Sequence, residues 1–134
     1  SSSVATIPVT SRCLIEKLSY KEDKVNFIIP IGATINMDGT ALFECVVVIF
    51  IAQLYGIDLS FIEQLLILLL ALITSIGVAG IPSASFVAII VILGAVGLPF
   101  EAVGIIIGID RLLDMLRTSV NVYGDTCCVS VVAK

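Results

Sequence analysis

The feature that most constrains this chain is a repeated pattern. Stretches apolar enough to lie in a membrane are each broken in the middle by small and polar residues. From Val25 to Tyr55 the chain is almost wholly apolar, with GATINMDGT (residues 32–40) at its centre. About 31 residues, at ~1.5 Å rise each, exceed the roughly 20 that a spanning helix needs. Two Gly, one Asn, one Asp and two Thr within that nonapeptide are poor continuous helix. The pattern recurs where the apolar runs Leu65–Ile73 and Phe86–Val96 flank TSIGVAGIPSAS (residues 74–85). Each run reaches only about 14–17 Å as a helix, too short for a ~30 Å hydrocarbon core. Two half-length helices around a Gly/Ser/Pro tip predict a re-entrant hairpin. The alternative is one continuous helix kinked at Pro82. Irregular backbone at membrane depth is tolerated only against protein or a wet cavity.

Composition supports a membrane setting. Hydrophobic residues make up 59% of the chain and charged residues 13%, about half the roughly 25% of a soluble domain. The apolar faces must meet lipid or other protein. The expected class is an all-α membrane protein with broken transmembrane helices and a re-entrant hairpin. It is expected to be multi-pass, in a plasma membrane or bacterial inner membrane. A net charge of −4 with seven Lys and Arg argues against a nucleic-acid surface. The chain has no His, which removes the commonest general base and metal ligand. Cys13, Cys45, Cys127 and Cys128 show no CxxC spacing and read as small buried hydrophobes, not as a disulfide or zinc site.

Arg12, Lys17, Lys21 and Lys24 cluster in one connector, which the positive-inside rule places in the cytoplasm. The loop near Asp58 and Glu63 then lies outside, and the hairpin tip points from outside to the membrane centre. The start, SSSVATIPVT, lacks the basic and apolar regions of a signal peptide. The chain reads as a piece of something longer. Its expected organisation is a hairpin tip over 1–11, a cytoplasmic connector over 12–24 and a broken helix over 25–55. A re-entrant hairpin over 61–97 and an amphipathic last helix over 103–134 complete it.

That last segment carries Asp110, Asp114, Arg117, Asn121 and Asp125 among Ile, Leu and Val. At about 100° per residue these five fall within an arc of roughly 80°. Ionisable residues at membrane depth are expensive and by default functional. Discontinuous helices that meet at the bilayer centre are a recurring way to build a transporter's binding site. Arg117 needs an anionic partner. Either Asp114, three residues earlier, supplies it, or a ligand carboxylate does, leaving Asp114 for an ammonium group. The face holds three carboxylates against one arginine, and sodium ions would balance the excess. Asn36, Asp38, Asn121 and Asp125 offer hard oxygen ligands, although Asp38 would also serve as a cap at the helix break. Glu44, inside ALFECVVVIF, has only apolar neighbours in sequence. It reads either as a proton carrier or as a permanently protonated structural group.

Several long motifs occur in order: TIPVT, IPIGATINMDGT, SIGVAGIP, VGLP and GIDRLLDMLRTSVNVYGD. With them, essentially the whole chain resembles the dicarboxylate/amino acid:cation symporters, the family of glutamate and aspartate transporters. The resemblance implies the C-terminal part of a transport domain that moves across the membrane like an elevator, carrying an acidic amino acid with sodium. It implies homotrimers formed through a scaffold domain that this chain lacks, and no bound cofactor. By matching positions, Arg117 resembles the side-chain carboxylate ligand and Asp114 the amino-group ligand. Ser3, Thr40, Thr118 and Asn121 flank the substrate, and backbone near Ile81 and Ser85 closes over it. One sodium site resembles Gly32, Asn36, Asn121 and Asp125. A second resembles carbonyls of Thr34, Ser75, Ile76 and Val78, and a third uses Asn36 and Asp38. Glu44 matches the proton-carrying acid of animal members, which implies proton coupling. An arginine that family members carry at the tip or in the last helix is replaced by Ser1 and Met115, with Arg111 a turn away as a substitute. Potassium countertransport is therefore left open. The competing functions are a neutral amino acid or C4-dicarboxylate symporter of the same family, and a channel or anion pore. A pore would repeat like charges, whereas these are of mixed sign. No nucleophile or cofactor loop accompanies the acids, so the chain is not expected to be an enzyme.

Overall fold

The computed structural model describes residues 2–77 and 85–133, and these are all-helical, with no strand among them. Helix α1 (Ser3–Arg12) begins under Ser2, whose hydroxyl accepts from the Ala5 N–H at 3.2 Å and so satisfies one free amide of the first turn. It runs into one wide π turn, Cys13–Lys17. The chain then reverses through Ser19, whose φ of 57° is left-handed. Part of the connector expected over 12–24 is thus helical.

Helices α2 (Glu22–Ile35) and α3 (Asp38–Leu54) are the two halves of the broken segment. The break is narrower than nine residues: only Asn36 and Met37 leave the helix. Pro30 is accommodated within α2. Helix α3 is almost uniformly apolar along its length and packs on α2's neighbours from the centre of the molecule, touching α4, α5 and α7.

Helices α4 (Phe61–Gly77) and α5 (Ser85–Val96) flank the second polar break. Helix α4 is longer than the apolar run predicted, because residues 61–64 precede it and residues 74–77 continue it. Its 17 residues span about 26 Å, and the 12 of α5 about 18 Å, both still short of a ~30 Å core. Ser60 and Glu63 start α4 with a reciprocal cap. The Ser60 N–H and hydroxyl donate to the Glu63 carboxylate at 2.7 and 2.6 Å, and the Glu63 N–H donates back at 3.3 Å.

The last segment is divided. A short helix, α6 (Val103–Ile107), precedes α7 (Asp110–Val132). Two apolar clusters hold the helices. Val48, Ile51, Ile67, Ile89, Ile92 and Leu93, at the centre of the larger one, bind α3 to α4 and α5. Leu14, Val25, Ile29 and Val129 join α2 and the π turn to the far end of α7. The polar face of α7 lies between the two. The cysteines correct an expectation: all four are free, Cys13, Cys127 and Cys128 are exposed and Cys45 is half-buried. Two of the exposed ones lie near the end of α7 and one in the π turn, outside both apolar clusters.

Candidate functional site

The five polar residues predicted to share one face of α7 do so, and all are buried. Asp110, Asp114, Arg117, Asn121 and Asp125 are between 2% and 6% exposed. Helices α2 and α3 cover this face because the break between them, Asn36–Met37, sits over it. With Glu44, four carboxylates and one arginine are buried among the described residues. An excess of buried negative charge is costly without a cation or protons.

Arg117 is held by partners on three helices. Its Nε donates to Asp114 Oδ1 at 3.2 Å, and Nη2 pairs with the same oxygen. Nη2 is also 3.6 Å from Asp110 Oδ1. Nη1 donates to Ser85 Oγ at 2.5 Å. The guanidinium lies over the Phe43 ring, 4.4 Å from its centre. Of the two partners considered for Arg117, Asp114 is thus engaged. Asp110 was expected on this face but not as a partner of Arg117, and Phe43 and the Ser85 side chain were not expected there. The i,i+7 spacing of Asp110 and Arg117 was a usable signal; Phe43 and Ser85 come from other helices and carried none. Arg111 and Met115 are both exposed and lie one turn apart on α7.

One turn further along α7, Asn121 bridges to α3. Its Oδ1 accepts from the Gly39 N–H at 2.7 Å, and its Nδ2 donates to Thr40 Oγ1 at 3.2 Å and to the Met37 sulfur at 3.4 Å. Gly39 permits this approach: a Cβ there would stand 2.5 Å from the Arg117 carbonyl. Thr118 is buried beside Arg117.

At the next turn Asn36 Nδ2 donates to Asp125 Oδ1 at 3.1 Å. Gly32 is buried directly against the Asp125 carboxylate, where a Cβ would overlap it. Its carbonyl accepts from the Asn36 N–H at 2.8 Å. Asp38 also reaches α7, since its Oδ2 is 3.1 Å from where a Cβ on Gly124 would lie. Asp38 is the first residue of α3 and not its cap; that position is Met37, whose side chain makes no capping bond. Gly32, Asn36, Asp38 and Asp125 are thus gathered against α7, and carboxylate, amide and carbonyl oxygens are the donor type that suits a hard cation.

The other expected cation ligands are more scattered. Thr34 is exposed near the end of α2, its hydroxyl donating to the Ile31 carbonyl at 2.7 Å. Ser75 is buried near the end of α4 and Ile76 exposed. The last carbonyls of a helix carry partial negative charge, which fits a cation near Thr34. Val78 and Ile81 lie outside the described residues. Ser3 is buried in the first turn of α1, which packs on α7.

Glu44, on α3, is fully buried. Its Oε2 is 2.7 Å from Thr74 Oγ1 on α4, and its Oε1 has no hydrogen-bond partner among the described residues. A recess of about 210 Å³ opens between α3 and α7 beside Arg117, lined also by Leu42, Val46, Leu116 and Val120. Those walls suit an aliphatic chain better than a dicarboxylate.

Fold and site together place a buried cluster of carboxylates, amides and one arginine where α2 and α3 meet α7. The model of the sodium:dicarboxylate symporter family matches residues 1–134, and the chain belongs to that family. It is 52% identical over its full length to excitatory amino acid transporter 3 of Mus musculus. Over 98% of its length it is 49% identical to an excitatory amino acid transporter of Caenorhabditis elegans and to excitatory amino acid transporter 2 of Homo sapiens. It spans 26%, 26% and 23% of those relatives respectively, about a quarter of their length.

Proposed function

We propose that this chain is the substrate- and sodium-binding part of a secondary transporter that carries acidic amino acids across a cell membrane together with sodium. The observation that carries this is the environment of Arg117. A buried guanidinium stands beside Asp114 within a face that is otherwise rich in carboxylates and amides. An acidic amino acid brings a carboxylate for Arg117 and an ammonium for Asp114, each opposite in charge to the group that takes it. Thr40, Thr118, Asn121 and the start of α1 at Ser3 border the same space, with Ile81 and Ser85 closing it. Sodium balances the remaining acids, at Gly32, Asn36, Asn121 and Asp125, at Thr34, Ser75, Ile76 and Val78, and at Asn36 and Asp38. The family and its named relatives support this assignment. Transport of labelled aspartate into vesicles by the full-length protein carrying this chain tests it. Uptake should saturate and require an inward sodium gradient; equal uptake without sodium would refute it.

The membrane architecture belongs to the same proposal. The segment Glu22–Leu54 is long and apolar enough to cross a membrane. Helices α4 and α5 form the re-entrant hairpin over 61–97. Large side chains such as Phe27, Phe61, Ile62, Val87 and Val131 are more than two-thirds exposed, as a lipid-facing or scaffold-facing surface would be. The domain moves as an elevator against a scaffold through which the protein forms trimers.

Glu44 is the proton carrier. Thr74 Oγ1 is 2.7 Å from Glu44 Oε2 and also 2.7 Å from the Leu70 carbonyl. A hydroxyl has one hydrogen to give. When it serves the helix carbonyl, its lone pairs face Glu44 and suit a protonated carboxyl as donor.

A further inference from the structure

We propose that the Ser85 hydroxyl is a side-chain ligand for the acidic group of the substrate and, with Arg117, sets the preference for acidic over uncharged amino acids. This rests on the transport function proposed above and adds a specificity-determining side chain to it.

Ser85 opens α5 and is only 2% exposed. Its Oγ accepts from Arg117 Nη1 at 2.5 Å. The other edge of the guanidinium is taken: Nε and Nη2 face Asp114 and Asp110 on their own helix. One face of its plane is covered by Phe43. A ligand carboxylate that keeps hydrogen bonds in the guanidinium plane must approach along the Nη1 side, where Ser85 stands.

A hydroxyl accepts through its lone pairs and donates through its O–H at the same time. Accepting from Arg117 leaves the Ser85 hydrogen to give. A carboxylate placed beside Nη1 takes one bond from the guanidinium and one from this hydroxyl, which the neighbouring cation polarises into a better donor. Bonds to an ionised acceptor are about twice as strong as those between neutral groups. The hydroxyl therefore favours a carboxylate over the amide of an uncharged isostere, and it does so without adding buried charge. It also ties α5 to α7, so the arm of the hairpin is in place when the acid arrives.

The test uses the full-length protein carrying this chain in vesicle uptake assays under an inward sodium gradient, as wild type, Ser85→Ala and Ser85→Thr. KM is measured for aspartate, and an inhibition constant for asparagine, its uncharged isostere. Their ratio does not depend on how much protein is present. Ser85→Ala should raise the aspartate KM roughly tenfold with little change for asparagine, and Ser85→Thr, which keeps the hydroxyl, should stay near wild type. An equal change for both ligands in Ser85→Ala, or a Ser85→Thr ratio shifted as far as that of Ser85→Ala, would overturn the role of Ser85. Wild type separates the two levels of the argument. No sodium-dependent aspartate uptake by wild type counts against the transport function itself. Normal uptake by wild type with an unaltered ratio in Ser85→Ala overturns the Ser85 assignment alone.

Discussion

Arg117 and Asp125 lie two helical turns apart on α7, and they meet opposite needs. Arg117 is the buried cation of the site, and its partners on three helices fix the guanidinium in one orientation. Substituting Arg117→Cys removes the charged donor while leaving a small side chain. A hydrogen bond to a charged group is worth about 1.5–3 kcal/mol, so aspartate affinity should fall by more than tenfold while some uncharged amino acid binding survives. Competition by aspartate and by neutral amino acids measures this, and near-normal aspartate binding would contradict the role. Asp125 accepts from Asn36 and abuts Gly32. Asp125→Asn should weaken sodium binding and, through it, substrate binding. Coupled binding is reciprocal, so raising sodium should partly restore substrate affinity. Identical sodium titrations for mutant and wild type would remove Asp125 from the cation site.

At the scale of elements, the site exists because α3 and α7 come unusually close. Gly39 makes that possible, with its N–H bonded to Asn121 and no Cβ to meet the Arg117 carbonyl. Gly39→Ala should force the helices apart at a cost of about 1–3 kcal/mol, the usual range for overpacking. Thermal unfolding in detergent would register the loss, together with weakened substrate binding. A variant as stable as wild type would show that the pair can relax freely. The start of α4 depends on a different device. Hydrogen bonds from the Ser60 hydroxyl and N–H hold the exposed Glu63 carboxyl below its ordinary range. A carboxyl lowered in the folded state contributes stability above its unfolded value and loses it as pH falls. Hydrogen exchange in the first turn of α4 should therefore quicken as pH drops through the carboxylate range, after correction for intrinsic exchange. Ser60→Ala, which removes the hydroxyl but keeps the N–H, should reduce that dependence.

Across the whole molecule, buried acids outnumber the buried arginine, while the surface is rich in large apolar side chains. Such a body needs cations or protons whenever it is to stand in a low-dielectric setting. In the proposed transport cycle Glu44 carries the proton; it is fully buried and links α3 to α4 through Thr74. Glu44→Gln keeps size and hydrogen bonding but cannot titrate. Exchange of substrate across vesicles should persist in this variant, while net uptake loses its dependence on an imposed pH difference. Net uptake that still follows the pH difference would leave Glu44 as a structural hydrogen-bonding residue.

Much of this was legible in the chain itself, for physical reasons. Helix periodicity places residues 110, 114, 117, 121 and 125 on one face whatever packs against it, and the structure buries all five. Small and polar residues inside the apolar run of residues 25–55 announced the break at Asn36 and Met37. The order of motifs carried the family. Other features needed the tertiary structure because they depend on distances between segments far apart in sequence. The helix break is only two residues wide, since packing of α2 and α3 on α7 keeps Gly32–Ile35 and Asp38–Thr40 helical against weak local propensity. The exposure of Cys13, Cys127 and Cys128 follows from which side of each helix faces the core. That side cannot be read from a local apolar run. Arg117 had two candidate partners by spacing; the fold pairs it with Asp114 and adds Ser85 from 32 residues away and Phe43 from α3. Local sequence determines which groups a helix presents, and only the packing of helices decides which of them meet.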